Sequence, residues 1–402
     1  MDEKRSPLAL ALAITPGTLL AGMAGGIAFP ILPIVGVRVG LSIPFIGVIL
    51  AANRAVRVVF GPLVGSLADR FGGRRTLLAG LVINIVVMAL YAIGIVVRHV
   101  GIFFLGGRVL HGFGSASVFI AAQTLALQAG GASQGGKTAG SVRAAMVLGV
   151  PVGLVVGGIL SDFVGEVATF SIASGAVVVA LAGAFFTVPD LRGETPFKKR
   201  PPMLGLIREL RDRRLLAVGA LNFALNFAAS GLVLTTLALL VHDRSISILG
   251  RDEQGTAGLA MGWMTIVDAA STPLAGRLGD RFRAHARVAM GAMMLLVLGL
   301  ATIGLTTHRG GLLFGLALIG LGASGLGPSL LVIMGAIVPP ERQGASVGAL
   351  GVTGDLGGML GPIVGTAIFC GGRVYLVAAV LLAMFVPVAA WLSKVERRRV
   401  AS

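Results

Sequence analysis

The sequence is 402 residues long, with 55% hydrophobic and only 12% charged residues, a single cysteine and a net charge of +16. Soluble domains carry about twice that share of charge, so the composition excludes a soluble, a disordered or a disulfide-stabilised secreted protein. In so apolar a chain the basic surplus indicates membrane topology, and no nucleic-acid partner is expected.

Apolar runs of about 20 residues, long enough for a helix to cross the bilayer, recur along the whole chain. No run alternates as a transmembrane β-strand would, so we predict an all-α membrane protein with twelve transmembrane helices. The predicted spans are residues 8–32, 43–67, 76–97, 101–128, 141–162, 167–188, 215–241, 256–277, 287–307, 311–337, 345–369 and 374–393. The first span follows only seven residues and lacks a small-residue cleavage site, which predicts an uncleaved anchor.

The lysines and arginines are distributed unequally between the two sides of this arrangement. The N-terminus, the even-numbered loops and the C-terminus hold twenty-four of them, and the odd-numbered loops hold six. Because positively charged loops stay in the cytoplasm, both termini are predicted to be cytoplasmic. The expected location is the cell (inner) membrane, as a multi-pass protein in the lipid bilayer.

The loop after span 2 carries a motif that the second half of the chain repeats. It reads Gly65-Ser-Leu-Ala-Asp69-Arg70-Phe-Gly72, followed by Arg74 and Arg75, and the loop after span 8 reads Gly276-Arg-Leu-Gly-Asp280-Arg281-Phe. Asp69 and Asp280 are 211 residues apart, and the same offset superposes Pro151 on Pro362. The repeat predicts two pseudo-symmetric six-helix bundles, an arrangement by which transporters place a site at the bilayer midplane.

The loop motif also has a physical interpretation. Gly72 permits a tight turn, and Asp69 can accept hydrogen bonds from the N-terminus of a neighbouring helix. The arginines at 70, 74 and 75 would anchor the loop to cytoplasmic headgroups. If Asp69 finds its partner in only one of two states, the loop is a latch; otherwise it is a turn with cytoplasmic charge.

Five charged residues lie inside predicted spans, where charge is unfavourable and usually functional. They are Arg54 and Arg57 in span 2, Arg108 in span 4, Asp268 in span 8 and Asp355 in span 11. Arg57 and Asp268 are equivalent positions of the two halves, each roughly 18 Å along its helix from the loop aspartate. An unpaired carboxyl at that depth would be neutral much of the time, which suits a proton carrier. A hydrogen-bonded packing role for Asp268 is the alternative.

Further polar residues in the spans are candidates for a substrate cavity. His111 follows Arg108 by one turn and changes charge near neutral pH; the alternative is that it bridges helices by a hydrogen bond to a neighbouring helix. Asn222 and Asn226 share one face of span 7, where they would bind substrate or join helices. Gln123 is a lesser candidate.

Glycine is abundant, at 61 of 402 residues, and small residues permit close helix packing in lipid. Two series at four-residue intervals stand out, one in span 5 and one in span 11. The first series is Gly149, Gly153 and Gly157, and Pro151 lies within it. The second is Gly357, Gly361 and Gly365, and Pro362 lies within it.

The longest connection, residues 189–214, carries eight basic residues, four acidic residues and four prolines. The apolar residues of its segment 203–210 have helical spacing, which predicts a short amphipathic helix on the cytoplasmic face. We interpret the connection as a basic linker between the bundles 1–188 and 215–402; a regulatory role is the alternative.

Taken together, these motifs resemble those of the major facilitator superfamily. The loop after span 2 resembles its cytoplasmic loop signature. Leu105-x-x-Arg108-x-x-His111-Gly112-x-Gly114 is similar to its fourth-helix signature, with His where glutamine is common. Gly149-Val-Pro151-x-Gly153 partly matches the fifth-helix signature of antiporters, with Val150 in place of a glycine, and Gly26 to Pro33 resembles the twelve-span drug:proton antiporter branch.

The resemblance implies the major facilitator fold and a set of roles. Span 4 would line the central cavity, so that Arg108 and His111 make its outer part basic. Span 2 would abut span 11, so that Arg54 or Arg57 pairs with Asp355, either as a switch or as a permanent ion pair.

The resemblance likewise places span 5 opposite span 8, and span 11 opposite span 2, where the two halves meet. The glycine series would then let the halves rock against each other; packing without motion is the alternative.

The first span departs from the antiporter branch. Members of that branch often carry an acidic residue about nine positions before the equivalent of Pro30, and this chain has Leu20-Ala21-Gly22 there. Proton coupling would therefore use Asp268, Asp355 or His111, or be absent.

No enzyme motif is present, and the five histidines lack ligand spacing, so we expect neither catalysis nor a metal site. The favoured hypothesis is proton-coupled export of small apolar or amphipathic molecules by a monomer, with the proton gradient as driving force and no cofactor. One alternative is a uniporter or importer of a small metabolite, where the basic residues Arg54, Arg57, Arg108 and His111 favour an anion. The other is a non-transporting membrane protein.

Overall fold

The structure is a computed structural model that describes residues 7–190, 212–339 and 343–401, with side chains for 12–126, 142, 144–190, 212–339 and 346–396. The described residues are helical apart from short turns, which confirms the predicted all-helical class. Most of the linker, including its predicted amphipathic helix, lies outside the described residues.

The chain divides into two compact units. The first comprises Met1–Ser42 and Val48–Lys198, and the second comprises Ile43–Gly47 and Lys199–Ser402. The helices from the first predicted bundle are α1 (Pro7–Arg38), α2 (Ile43–Phe71), α3 (Gly73–Val96) and α4 (Val100–Thr187).

Helix α4 contains the predicted spans 4, 5 and 6 in one stretch of 88 residues. A straight helix of that length would extend roughly 130 Å, far more than a bilayer is thick. The backbone turns at Gly165, whose φ of +79° is open to glycine because glycine has no β-carbon. Beyond the turn, Ser174 donates to the Ile85 carbonyl and the Phe185 carbonyl accepts from Arg74, so the last part of α4 runs back along α3.

The second predicted bundle follows the same pattern with more interruptions. Its helices are α5 (Arg213–Asn226), a π-helical segment (Phe227–Val233), α6 (Leu234–Arg244), α7 (Glu253–Phe282), α8 (His285–Leu305), α9 (Arg309–Ile337), α10 (Gln343–Ala367), α11 (Arg373–Ala383) and α12 (Val386–Ala401). The predicted span 7 is thus α5, the π-helical segment and α6 in succession, and span 12 is α11 with the start of α12.

Within the described residues, ten helices are long and apolar enough to cross a membrane. One of them, Ala144–Thr187, is 44 residues long and contains two predicted spans. Helix α7, which contains predicted span 8, is not among the ten, because its central part is less apolar than theirs and includes Asp268. The count of twelve remains a prediction.

The glycine series pack inside each unit. A β-carbon at Gly149 or Gly153 would collide with the backbone carbonyls of Leu19 or Met23 on α1, and one at Gly157 would lie 2.8 Å from Cα of Ile27. Close backbone approach of this kind is what small residues permit between helices in lipid.

The second series behaves in the same way. A β-carbon at Gly357 would collide with the Phe223 carbonyl, one at Gly361 would lie 2.5 Å from the Phe227 carbonyl, and one at Gly365 would meet Leu232. Both series therefore face the first helix of their own half. These contacts within each unit match the packing alternative, and rocking of the halves against each other remains a prediction.

Candidate functional site

Arg108 lies in the interior of the first unit with no exposed surface. Its guanidinium carbon is 4.8 Å from the centre of the Phe29 ring on α1, which is a cation–π distance. The hydroxyl of Tyr91 on α3 is close enough to interact with it electrostatically. Nevertheless, three atoms here form no hydrogen bond with any described residue: Nε and Nη2 of Arg108 and the hydroxyl oxygen of Tyr91. Three polar groups are therefore buried together with unused hydrogen-bonding capacity.

Tyr91 is held in place by aromatic neighbours. Its ring centre lies 5.4 Å from that of Phe104 and 5.2 Å from that of Phe170, both on α4. Gly107 leaves the space that the ring occupies. Sequence reasoning missed Tyr91, although it is one of only two tyrosines and lies in the middle of an apolar span.

His111 is buried, with 4% exposure, among three helices. Its Nδ1 lies 2.9 Å from the Asn84 Oδ1 on α3, and Asn84 Nδ2 donates to the Gly80 carbonyl. With the amide so oriented, Nδ1 of His111 carries the proton and Nε2 faces Gly25 on α1. His111 therefore joins α1, α3 and α4, which is the helix-bridging alternative, and Asn84 is a partner that sequence reasoning missed.

Arg54 and Arg57 lie one turn apart on α2 and are half-buried. Both act electrostatically on His111, together with Arg108, so the charges around this ring are positive. Asp355 is buried on α10, at 9% exposure, and each of these three charged residues has interaction partners. The predicted pairing of Asp355 with Arg54 or Arg57 joins the two units and remains a prediction.

Asp268 is half-buried in the middle of α7. The Thr272 hydroxyl donates to its backbone carbonyl at 2.9 Å and lies within reach of its carboxylate. A β-carbon at Gly320 on α9 would lie 3.1 Å from the Asp268 backbone nitrogen, so the two helices are in close contact here. Among the described residues, no basic side chain forms an ion pair with Asp268.

Asn222 and Asn226 join helices of the second unit. Asn222 Nδ2 donates to the Leu350 carbonyl at 2.7 Å and to the Thr353 hydroxyl at 3.1 Å, both on α10. Asn226 Nδ2 donates to the Asn222 carbonyl at 2.9 Å, and its Oδ1 accepts from Ser230. The amides thus bind α5 to α10 and to the π-helical segment. Gln123 is half-buried on α4, and within the described range its side chain makes no hydrogen bond.

The first loop motif forms the predicted tight turn. Gly72 has a φ of +86° between α2 and α3, and Arg74 Nη2 donates to the Phe185 carbonyl at 2.6 Å. Asp69 is exposed, and in the part of the chain that the structure describes its carboxylate has no partner. Arg70 stacks over its neighbour Phe71, with 5.4 Å between the guanidinium carbon and the ring centre. Buried Gly65 and exposed Arg75 complete the motif.

The second loop differs in having a local partner for its aspartate. Asp280 Oδ1 lies 3.0 Å from His285 Nε2, while Arg281 is exposed. The backbone of Arg283 is left-handed, with a φ of +44°, and ends α7.

A cavity of about 390 Å³ lies beside this second loop, between α9 and α12. Its rim includes Asp280, which the sequence singled out; the other lining residues were not predicted. They are Arg214, Arg283, His285, Val332, Ile333, Ala336, Ile337, Leu392, Val395 and Glu396. Glu396 accepts a hydrogen bond of 3.0 Å from the backbone nitrogen of Ala286, at the start of α8. The described residues hold no group of three potential metal ligands.

Comparison with known proteins identifies relatives along the whole chain. A family model described as Major Facilitator Superfamily matches residues 14–250 and 245–402. The chain is 25% identical over 374 residues to the "Multi-drug resistance efflux pump PmrA homolog" of Lactococcus lactis, covering 88% of this chain and 86% of that protein. It is 28% identical over 362 residues to the "Tetracycline resistance protein, class G" of Vibrio anguillarum, covering 85% and 86%.

A solved structure has the same fold. It is titled as a bacterial homolog to the human lysosomal transporter Spinster, in an inward-facing and occupied conformation. The two chains superpose with a TM-score of 0.77 and 15% sequence identity, covering 96% of each.

Proposed function

This chain belongs to the Major Facilitator Superfamily, and from that premise we propose that it is a proton-coupled exporter of small apolar or amphipathic molecules that works by alternating access. It is a multi-pass membrane transporter and not an enzyme. The proton gradient is the proposed driving force, and the monomer in the cell (inner) membrane is the proposed working unit.

The observation that carries this proposal is the environment of Asp268. Its carboxylate lies mid-helix, half-buried, and its described surroundings contain a hydroxyl group but no paired cation. A carboxyl in such a place can gain and lose a proton, which a transported proton requires. The relatives named as an efflux pump and as a tetracycline resistance protein support export as the direction.

We further propose twelve spans with both termini in the cytoplasm. In this arrangement every contact between distant loops should join segments on the same side. Several contacts agree with that requirement: Arg38 with Glu166 and Arg244 with Thr306 on the proposed outer side, and Arg74 with Phe185 and Ala286 with Glu396 on the inner side.

A second candidate function is uniport or import of an anionic metabolite. Arg54, Arg57, Arg108 and His111 interact electrostatically in the interior of one half, and positive charge there favours an anion. Proton coupling separates the two functions, because a uniporter moves its substrate without a pH gradient.

The test begins with purified protein screened for thermal stabilisation by a panel of drugs and metabolites. Compounds that raise the melting temperature are then loaded into liposomes containing the protein, and a pH gradient is imposed with acid on the side that receives the substrate. We expect the gradient to drive uphill flux that a protonophore abolishes. Flux that only follows the substrate gradient, unchanged by the protonophore, would overturn proton coupling and favour uniport.

A further inference from the structure

We propose that Arg108 and Tyr91 form a binding site for a carboxylate or similarly small monovalent anion inside the first unit. The anionic group comes either from the transported molecule or from a free ion. Assigning the anion to the transported molecule rests on the proposed transport function. The existence of the anion site does not depend on that function.

The unused hydrogen-bonding groups are concentrated at this one place. Among the described residues, five buried side-chain nitrogen or oxygen atoms lack a hydrogen-bond partner, and three of them are Nε and Nη2 of Arg108 and the hydroxyl of Tyr91. Buried polar groups in proteins are almost always hydrogen-bonded. Such a concentration therefore indicates a place where a hydrogen-bond acceptor binds.

The electric charge of the site requires an anion rather than a neutral acceptor. The Arg108 guanidinium has no exposed surface, and the face of the Phe29 ring and the hydroxyl of Tyr91 are its favourable contacts among the described residues. The other charged group that acts on it is Arg54, which is also positive. A buried charge is strongly unfavourable unless it is paired, and a bound anion supplies that pairing.

The arrangement of the donors selects the shape of the ligand. Nε and Nη2 lie on the same edge of the guanidinium plane, and their parallel N–H groups match the two oxygens of a carboxylate. The Tyr91 hydroxyl, which faces the guanidinium, can donate a third hydrogen bond. Its ring is fixed between Phe104 and Phe170, so the hydroxyl keeps its place when the anion leaves.

The test measures thermal unfolding of the full-length protein in detergent during titration with sodium acetate or sodium chloride. Ionic strength is kept constant with a bulky sulfonate buffer. For the wild type we expect the melting temperature to rise and saturate with acetate. Tyr91→Phe keeps the packed ring and removes only the hydroxyl, so it should raise the half-saturating concentration about tenfold. Arg108→Gln should abolish the rise.

The matched control is Arg244→Gln. Arg244 donates to the backbone carbonyls of Ile303 and Thr306, so its loss should lower stability but leave the half-saturating acetate concentration unchanged.

The two titrants distinguish the source of the anion. A saturable rise with chloride that Tyr91→Phe weakens would assign the site to a free ion. A rise with acetate alone, competed by a transported acid, would assign it to the substrate. The proposal is overturned if neither salt gives a saturable rise, or if Tyr91→Phe and Arg108→Gln respond as the wild type does. The measurement uses no pH gradient, so its failure and that of proton-coupled transport are distinguishable.

Discussion

Asp268 is the residue whose substitution best separates proton coupling from substrate movement. Asp268→Asn preserves the size and the hydrogen-bonding capacity of the side chain but cannot bind and release a proton. We expect flux driven by a pH gradient to be abolished, while substrate binding and exchange persist. The measurement is release of substrate from loaded liposomes with and without an imposed pH gradient.

Thr272→Val provides the control for Asp268→Asn. It removes the hydroxyl beside Asp268 but leaves the carboxyl, so gradient-driven flux should remain. If Asp268→Asn transports at the wild-type rate and with wild-type pH dependence, Asp268 has a packing role and the antiporter interpretation loses its main support.

Charged residues in the spans could be identified from the sequence, whereas their partners could not. Arg108, His111 and Asp268 stand out because a charge or an imidazole in an apolar run is unfavourable. Asn84 and Tyr91 became visible only when α3 was placed against α4. Hydropathy gives the depth of a residue along a helix, but its neighbours depend on the rotation of that helix about its axis.

At the level of helices, the contact between α1 and α4 depends on the absence of side chains at defined positions. Gly153→Ala would place a methyl group against the Met23 carbonyl, and backbone on both sides leaves little room to adjust. We expect a loss of stability of about 1–3 kcal/mol, measured as a lower melting temperature or denaturant midpoint.

Gly175→Ala is the matched control on the same helix. No atom lies within 4 Å of a β-carbon at Gly175, so alanine should be neutral or stabilising by up to about 1 kcal/mol. Equal stabilities of the two variants would show that α1 and α4 are not closely packed at Gly153.

The two loop aspartates differ in their surroundings, and their substitutions should differ accordingly. Asp280 already has a partner in His285, five residues away, so Asp280→Asn should affect only its own turn. Asp69 is exposed and has no partner among the described residues, which leaves it available to bind in another state of the transport cycle. We expect Asp69→Asn to leave the protein folded but slow transport strongly.

The readout for both loop variants is the initial rate of substrate release from loaded liposomes with equal amounts of protein, alongside the melting temperature. Equal and mild losses of rate would indicate that the first loop is only a turn and not a latch.

At the scale of the whole molecule, the sequence predicted the helical class and the family, because apolar length and the repeated loop motif are both readable from the chain. It predicted a short connection between spans 5 and 6, where the turn at Gly165 lies, but not that α4 continues from span 4 into span 5 or that a π-helical segment interrupts span 7. Hydropathy does not reveal the π-helical segment, since its residues are the same small and apolar residues that form regular helix.

Orientation in the membrane can be tested with single cysteines. Arg98 and Arg283 are a suitable pair, because both side chains are exposed. The two positions are also matched in backbone conformation, since both are left-handed, with φ of +57° and +44°. In a Cys370→Ser background, Arg98→Cys should react with an impermeant thiol reagent only from outside, and Arg283→Cys only from the cytoplasm. Lys199→Cys in the linker should agree with Arg283→Cys, because the basic loops remain on the cytoplasmic side. Labelling of Arg98→Cys and Arg283→Cys from the same side would contradict the twelve-span arrangement, since an odd number of crossings must separate them.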